Sequence, residues 1–462
     1  MDTKDTICAL ATASGTGALS LIRVSGSDAF KIGDAIFLAK KKDVKISTAP
    51  SHTILFGNIG QSDELIDEVL VSVFRSPNSF SGDDSIEISC HGSPYIQQRI
   101  IQLLVDNGAR MAKPGEFTLR AFLNGKFDLS QAEAVADLIA SNSKFSHDLA
   151  LDQMRGGFSN IIKELRTELV NFASLIELEL DFSEEDVEFA NRTELFELLE
   201  KLKTEINGLM ASFSVGNVLK HGIPVAIIGR PNVGKSTLLN TILQEEKAIV
   251  SDIPGTTRDS IEDTIVLDGV SFRFIDTAGL RASDDQIEVI GIERTMEKIQ
   301  LAKIILFVFD VTKCNINRVK EVLEEHRAMI EDPDKRVILI GNKIDQLVET
   351  PSGFTDLVEM ETIFISAKRK ENISMISDSL LKSVDMEQFS DNTIVSNARH
   401  YEALSNASKS IEEIEAGFNK KTPSDLIAID IRNALHHLGE ITGEVTTDEI
   451  LGNIFGKFCI GK

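Results

Sequence analysis

The sequence predicts a multidomain fold: an α+β N-terminal domain, an α-helical domain, and an α/β P-loop domain inserted between the two blocks of the helical one. Three observations predict it. Up to Leu119, short apolar runs alternate with turn clusters. Apolar residues at steps of three and four begin after Ser130 and return after Ser424. Between those blocks, a glycine-rich loop and four further turn motifs follow apolar strands. The length of 462 residues suggests roughly three domains, and a hydrophobic content of 42% is ample for several cores.

Residues 1–119 carry strand-like runs at 6–12, 19–24, 70–74 and 85–89 and a helix near 96–106. Residues 120–217 are the first helical part, where Ile162, Leu165, Leu169, Phe172 and Ile176 line one face of a long amphipathic helix. The P-loop domain spans 218–385 and the second helical part 386–462. In the latter, Ser424 is placed to cap a helix whose Ile427, Ile431, Leu435 and Leu438 form a stripe, with Gly439 just past its end. A domain inserted in this way needs hinges, expected around 216–222 and 387–393. The acidic stretch 177–188 reads as solvated surface.

The apolar run 225–228 delivers the chain into Gly229-Arg230-Pro231-Asn232-Val233-Gly234-Lys235-Ser236, followed by Thr237. Backbone N–H groups of such a loop point at phosphates, Lys235 reaches the β- and γ-phosphates, and Ser236 offers a hydroxyl to Mg²⁺. Next come Ser251, Asp252, Ile253, Pro254, Gly255, Thr256 and Thr257, where Thr257 can close over the γ-phosphate and give the metal a second hydroxyl. A hairpin of 264–267 and 270–275 joined by Asp268-Gly269, a pair suited to a type I′ turn, leads to Asp276-Thr277-Ala278-Gly279. Asp276 suits Mg²⁺ held through water, and the Gly279 amide suits the γ-phosphate. Asn342-Lys343-Ile344-Asp345 and Ser366-Ala367-Lys368 then read the base. The Asp345 carboxylate accepts from the N1–H and 2-amino donors of guanine, a donor pair adenine lacks. The set describes an α/β P-loop GTPase domain of the Ras-like type, binding GTP and GDP.

Leu280 stands where Ras-type switches carry a water-orienting glutamine, so another group must place the water. Asn232 either coordinates a cation through its amide oxygen or stabilises the loop turn. Glu288 either acts on the water or is a solvated acid before the next helix.

A net charge of -24 argues against binding nucleic acid, DNA above all, by a generally basic surface. An RNA partner then needs a local basic patch or a helper protein. Cys8, Cys90, Cys314 and Cys459 lack metal-type spacing, and the start Met1-Asp2-Thr3-Lys4 lacks a secretory signal, so the chain reads as cytoplasmic and reduced. No apolar run approaches the ~20 residues that span a bilayer, which argues against a membrane role.

Asp5-Thr6-Ile7 with Arg23, Pro114-Gly115-Glu116-Phe117, the run from Lys126 to Ala134, the P-loop with its Asn232, Asp276 to Leu280, and the terminus Phe458-Cys459-Ile460-Gly461-Lys462 carry a further signal. With these features the chain resembles, over nearly its whole length, the MnmE (TrmE) family of tRNA-modification GTPases. The resemblance implies a homodimer built through N-terminal domains. It also implies a heterotetramer with the flavoprotein MnmG (GidA), which brings FAD and NADH. Together they install a carboxymethylaminomethyl or aminomethyl group on C5 of the wobble uridine, position 34, of certain tRNAs. The one-carbon unit is implied to come from 5,10-methylenetetrahydrofolate or 5-formyltetrahydrofolate, contacted by Arg23, Glu87, Lys126 and Lys462. Asp83 and Asp84 compete with Glu87 for that role.

From its sequence surroundings alone Cys459 is a small buried hydrophobe. The resemblance makes it instead a thiol near the folate, with Lys462 suited to lowering its pKa. The resemblance further implies G domains that pair face to face and use K⁺ at the phosphates, with Asn232, Ser251, Ile253 and Thr256 as ligands. Glu288 then orients the attacking water through a second water.

Overall fold

The computed structural model describes residues 5–61, 64–181, 192–246, 263–275, 300–313, 332, 335–347, 361–384, 393–420 and 422–461. The chain divides into two compact units: Met1–Ile139, Ala150–Asn207 and Glu402–Lys462 form the first, Ala140–Leu149 and Gly208–Tyr401 the second.

The first unit opens with β1 (Ile7–Leu10), β2 (Leu19–Ser25), α1 (Ala29–Ile36), β3 (Phe37–Ala39), β4 (Thr53–Gln61), β5 (Glu64–Phe74), β6 (Ser85–His91), α2 (Pro94–Asp106), β7 (Arg110–Met111) and α3 (Glu116–Leu123). Its strands form a sheet in the order β3-β4-β5-β6-β2-β1-β7, antiparallel except for the parallel β1–β7 pair. Alternation along β5 sends Val69, Val71 and Val73 into a core with Ile22, Ile86 and Ile88, covered by α1 and α2. Four strands and α2 were legible in the sequence, but α1, β3, β4 and β7 were not. Gly33 lowers the helix signal of α1, yet a Cβ there would lie 2.9 Å from the Cδ1 atoms of both Ile46 and Ile86, so the glycine lets the helix pack closely on these side chains. In β4 the alternation is blurred because Ile54 and Phe56 are apolar on the outward face as well.

Helices follow at α4 (Leu129–Ala140), α5 (Lys144–Met154), α6 (Gly157–Asp181) and α7 (Arg192–His221). The α6 stripe is as the spacing predicts: Ile162, Leu165, Leu169, Phe172 and Ile176 are all buried. Within the second unit come β8 (Ile223–Ile228), α8 (Lys235–Glu246), β9 (Asp263–Leu267), β10 (Val270–Phe274), β11 (Ile304–Asp310), β12 (Arg336–Asn342), β13 (Thr362–Ile365) and α9 (Ser374–Lys382). The sheet order is β13-β12-β11-β8-β10-β9, parallel except for the β9–β10 hairpin. Its turn has Asp268 at φ 45° and Gly269 at φ 83°, the paired left-handed residues of a type I′ turn. Seven consecutive buried residues in β11 mark a strand covered on both faces, the Ras-like α/β arrangement.

The chain then returns to the first unit through α10 (Ala398–Asn419), α11 (Ser424–Thr442) and α12 (Asp448–Phe455). The α11 stripe packs on α6. Its ends differ from the expectation. Pro423 holds the cap position with extended ψ, and Ser424 is the first helical residue. At the other end the helix runs through Gly439 and stops at Gly443, which takes the left-handed conformation at φ 86°. Leu435 is only half-buried, and Ala434 and Ile441 complete the stripe.

The first expected hinge, 216–222, spans the last turns of α7 and Gly222, left-handed at φ 82° just past its end. Gly216 lies inside α7, and a Cβ there would strike the Val395 carbonyl, so this glycine serves a close approach. Residues 387–392 of the second expected hinge, and 182–188 of the acidic stretch, lie outside the described residues.

Candidate functional site

In the second unit, β8 hands the chain to a loop that needs positive φ at three places: Gly229 (144°), Asn232 (62°) and Gly234 (99°). A side chain at Gly229 would meet the Val308 carbonyl, and one at Gly234 the Asn342 amide, so the loop lies directly against β11 and β12. α8 starts at Lys235, which puts Lys235, Ser236 and Thr237 in the first turn beside the loop's amides. Lys235 Nζ donates to the carbonyls of Gly229 and Arg230, both at 2.8 Å. Ser236 and Thr237 are exposed and Val233 is buried.

Asn342 ties three motifs together. Its Nδ2 donates to Val233 O at 2.8 Å, and its Oδ1 accepts from the amides of Lys343 at 2.8 Å and Ala367 at 3.0 Å. Lys343 is left-handed at φ 74°, and its Nζ reaches Asn232 O at 2.8 Å and the buried Asp310 Oδ2 at 2.7 Å. Burial pushes the Asp310 carboxyl up, but hydrogen bonds from Lys343 and Thr312 outweigh it and hold the carboxyl below the usual range. Ser366 Oγ donates to Asp345 Oδ1 at 2.7 Å and accepts from the Arg369 amide at 3.1 Å, which fixes the Asp345 carboxylate against this turn. Lys368 is exposed beside this turn. Residues 251–257, 276–279 and 288, expected to supply both switches and the water-orienting acid, lie outside the described residues. Sequence reasoning missed Asp310. Its only signal is an acid closing the apolar run 304–309.

In the first unit, Arg23 on β2 stands opposite Glu87 on β6. The guanidinium donates twice to Glu87 Oε1, at 2.9 Å and 2.7 Å, and lies 4.7 Å over the Phe80 ring and 5.6 Å from the Phe117 centroid. Asp83 and Asp84 are engaged elsewhere: Asp83 Oδ1 accepts from Asn124 at 3.0 Å, and Asp84 Oδ1 from the Ser76 amide at 2.9 Å. Lys126 donates to Pro77 O at 3.0 Å. It lines a cavity of about 380 Å³ with His52, Phe74, Asn78, Ser79 and Phe80. Phe80 therefore touches both Arg23 and the Lys126 cavity, and nothing in its sequence surroundings marks it for either role. Cys459 is exposed, whereas Cys8 and Cys90 are buried and their thiols are pushed up to about 11, chiefly by burial. Lys462 lies outside the described residues.

Two sequence motifs near this wall have structural reasons. Asp5 and Glu116 are bridged by Arg110 and by Arg120, which is 1% exposed; Arg120 donates to Asp5 Oδ1 at 2.6 Å and Glu116 Oε1 at 3.1 Å. The Asp128–Gln131 pair is a capping box for α4: Asp128 Oδ1 accepts from the Gln131 amide and the Gln131 side chain accepts from the Asp128 amide, both at 3.0 Å.

Comparison with known proteins finds one family along the chain. The family model for the GTP-binding protein TrmE N-terminus matches residues 6–126, and that for the MnmE helical domain matches 129–459. Proteins named tRNA modification GTPase MnmE are similar over essentially their full length. Those of Christiangramia forsetii and Flavobacterium psychrophilum are each 53% identical, covering 100% and 99% of this chain and the same shares of their own. That of Bacteroides fragilis strain ATCC 25285 is 51% identical over 99% of this chain and 100% of its own. A solved G domain of the T. maritima FeoB iron transporter covers 35% of this chain and 99% of its own at 22% identity, with a TM-score of 0.26 too low to carry an argument. Among the described residues no helix is long and apolar enough to cross a membrane. The chain belongs to the MnmE family of tRNA modification GTPases.

Proposed function

We propose that the chain is a K⁺-activated GTP hydrolase that works in the cytoplasm with the flavoprotein MnmG, which carries FAD and NADH. Together they add a carboxymethylaminomethyl or aminomethyl group to C5 of the wobble uridine of certain tRNAs, using a tetrahydrofolate-borne one-carbon unit. The observation that carries the nucleotide part is the Asn342 amide, which joins the P-loop, the Lys343 turn and the Ser366–Lys368 turn into one cradle.

Within that cradle the loop amides and Lys235 bind phosphates, Asp345 accepts from guanine, and Ser366 orients Asp345. Ser236, exposed in the first turn of α8, fits Mg²⁺ together with Thr257. Asn232, exposed and left-handed in the loop at φ 62°, is the side-chain ligand for K⁺, with Ser251, Ile253 and Thr256 as its companions. A K⁺ ion so held would supply the positive charge that arginine fingers supply elsewhere, and Glu288 orients the water.

The folate reading is supported by the Arg23–Glu87 pair set over Phe80 beside the Lys126 cavity. Glu87, rather than Asp83 or Asp84, faces that corner, and its carboxylate suits the N–H donors of a pterin. Cys459 and Lys462 complete this site. Pairing of two copies is supported by an exposed apolar face of the first sheet: Leu38 (73%), Ile54 (64%), Phe56 (50%) and Leu70 (45%).

The test compares wobble nucleosides of tRNA treated with the chain and its flavoprotein, and GTP hydrolysis in KCl against NaCl. The expected results are the C5-modified uridine and hydrolysis faster in KCl by about tenfold or more. Equal rates in the two salts would remove the cation mechanism, and unmodified uridine would remove the chemistry.

A further inference from the structure

We infer that Gly115 is a positioning residue whose bare, left-handed backbone seats residues 455–461 and so fixes Cys459 against the wall that carries Arg23. Gly115 occupies the cap of α3 at φ 65°, and its amide donates to Cys459 O at 3.3 Å. A Cβ on Gly115 would lie 2.6 Å from Phe455 O and 3.0 Å from Phe458 Cβ. Only a residue without a side chain lets the end of α12 and Phe458 close onto this corner. The two phenylalanine rings pack 5.3 Å apart and hold the bend between them.

A second anchor acts further along. Gly461 is buried at φ 100°, and a Cβ there would run into the Leu10 carbonyl of β1. Leu10 neighbours Ala9, which stands opposite Arg23, and Phe117, two residues after Gly115, lies beneath the Arg23 guanidinium. Both anchors therefore belong to one wall. Because the Cys459 side chain is exposed, its place is set by its backbone, and the Gly115 amide is a direct hold on that backbone.

This inference rests on the proposed role of Cys459 for its catalytic consequence, but the seat is measurable by itself. In the full chain, Gly115→Ala is expected to speed hydrogen exchange of the 456–461 segment about tenfold while 116–123 stays protected. A general loss of structure would move both segments. With the flavoprotein, tRNA and folate present, nucleoside formation should fall by about tenfold and GTP hydrolysis by less than about twofold. Gly108→Ala is the control: Gly108 is also left-handed, at φ 104°, but nothing lies within 4 Å of its Cβ position, so neither readout should change. An unchanged 456–461 segment in Gly115→Ala, or the same effect from Gly108→Ala, overturns the inference. If Gly115→Ala does not fold, Gly461→Ala attacks the same seat from the tail and must loosen 456–461 in its place. Full modification by Cys459→Ser would instead sink the role of the thiol and leave the exchange result to decide the seat.

Discussion

Asp345 is held by Ser366 through Oδ1, an acceptor that Asp345→Asn keeps while it removes the second carboxylate oxygen. On the proposed reading, Asp345→Asn removes an acceptor for two guanine donors and should weaken GTP binding roughly 5- to 150-fold, the range set by about 1–3 kcal/mol for an unmet buried partner. Titration with a fluorescent GTP analogue reads this directly. The Asn342–Asp345 motif stands out because it is contiguous, whereas Asp310 does not, since its partner Lys343 follows a different strand and only the parallel β11–β12 pairing brings them together. Asp310 also has a protonation consequence shared by Asp5, Glu116 and Asp128. Burial raises each of these carboxyls, but their arginine, lysine, hydroxyl and amide partners prevail and lower them. A lowered folded pKa adds stability above the unfolded pKa of about 4, and that stability disappears as pH falls through the folded value. Denaturant melts should therefore be nearly level above about pH 5 and weaken steadily below about pH 4. Glu116→Gln should make that acid loss shallower.

At the scale of elements, the α6 and α11 stripes and the Asp268-Gly269 turn were legible because each is a repeat or a pair whose geometry is local. The end of α11 was not. Gly439 looks like a terminator in sequence, but the actual stop, Gly443, is chosen by packing: a Cβ on it would lie 2.8 Å from the Phe122 ring and Leu129 Cβ. Gly443→Ala combines left-handed strain with overpacking and should destabilise the first unit by about 1–3 kcal/mol, seen as a lower melting temperature. The α4 cap gives a milder expectation. Asp128→Ala removes the capping box and the 2.8 Å bond from Lys163, and the same melt should show a loss of about 0.5–2 kcal/mol.

For the whole molecule, the insertion pattern was legible because helical periodicity stops and resumes around the nucleotide motifs, while the outward face of the N-terminal sheet was not. The same apolar side chains that obscured β4 are its exposed surface. If that face joins two copies, Phe56→Asp should convert dimers to monomers in sedimentation experiments while GTP affinity is retained. Dimers that persist would place the contact elsewhere. The packing of α6 on α11 also has a consequence for biosynthesis. Ile162, Leu169 and Ile176 leave the ribosome long before Ile427, Ile431 and Leu438 exist, because the entire nucleotide module is translated in between. At about 5–20 residues per second, that greasy stripe waits roughly 10–50 s for its cover. Nascent chains stalled within the module should therefore be clients of holdase chaperones, and a shorter wait would favour clean expression.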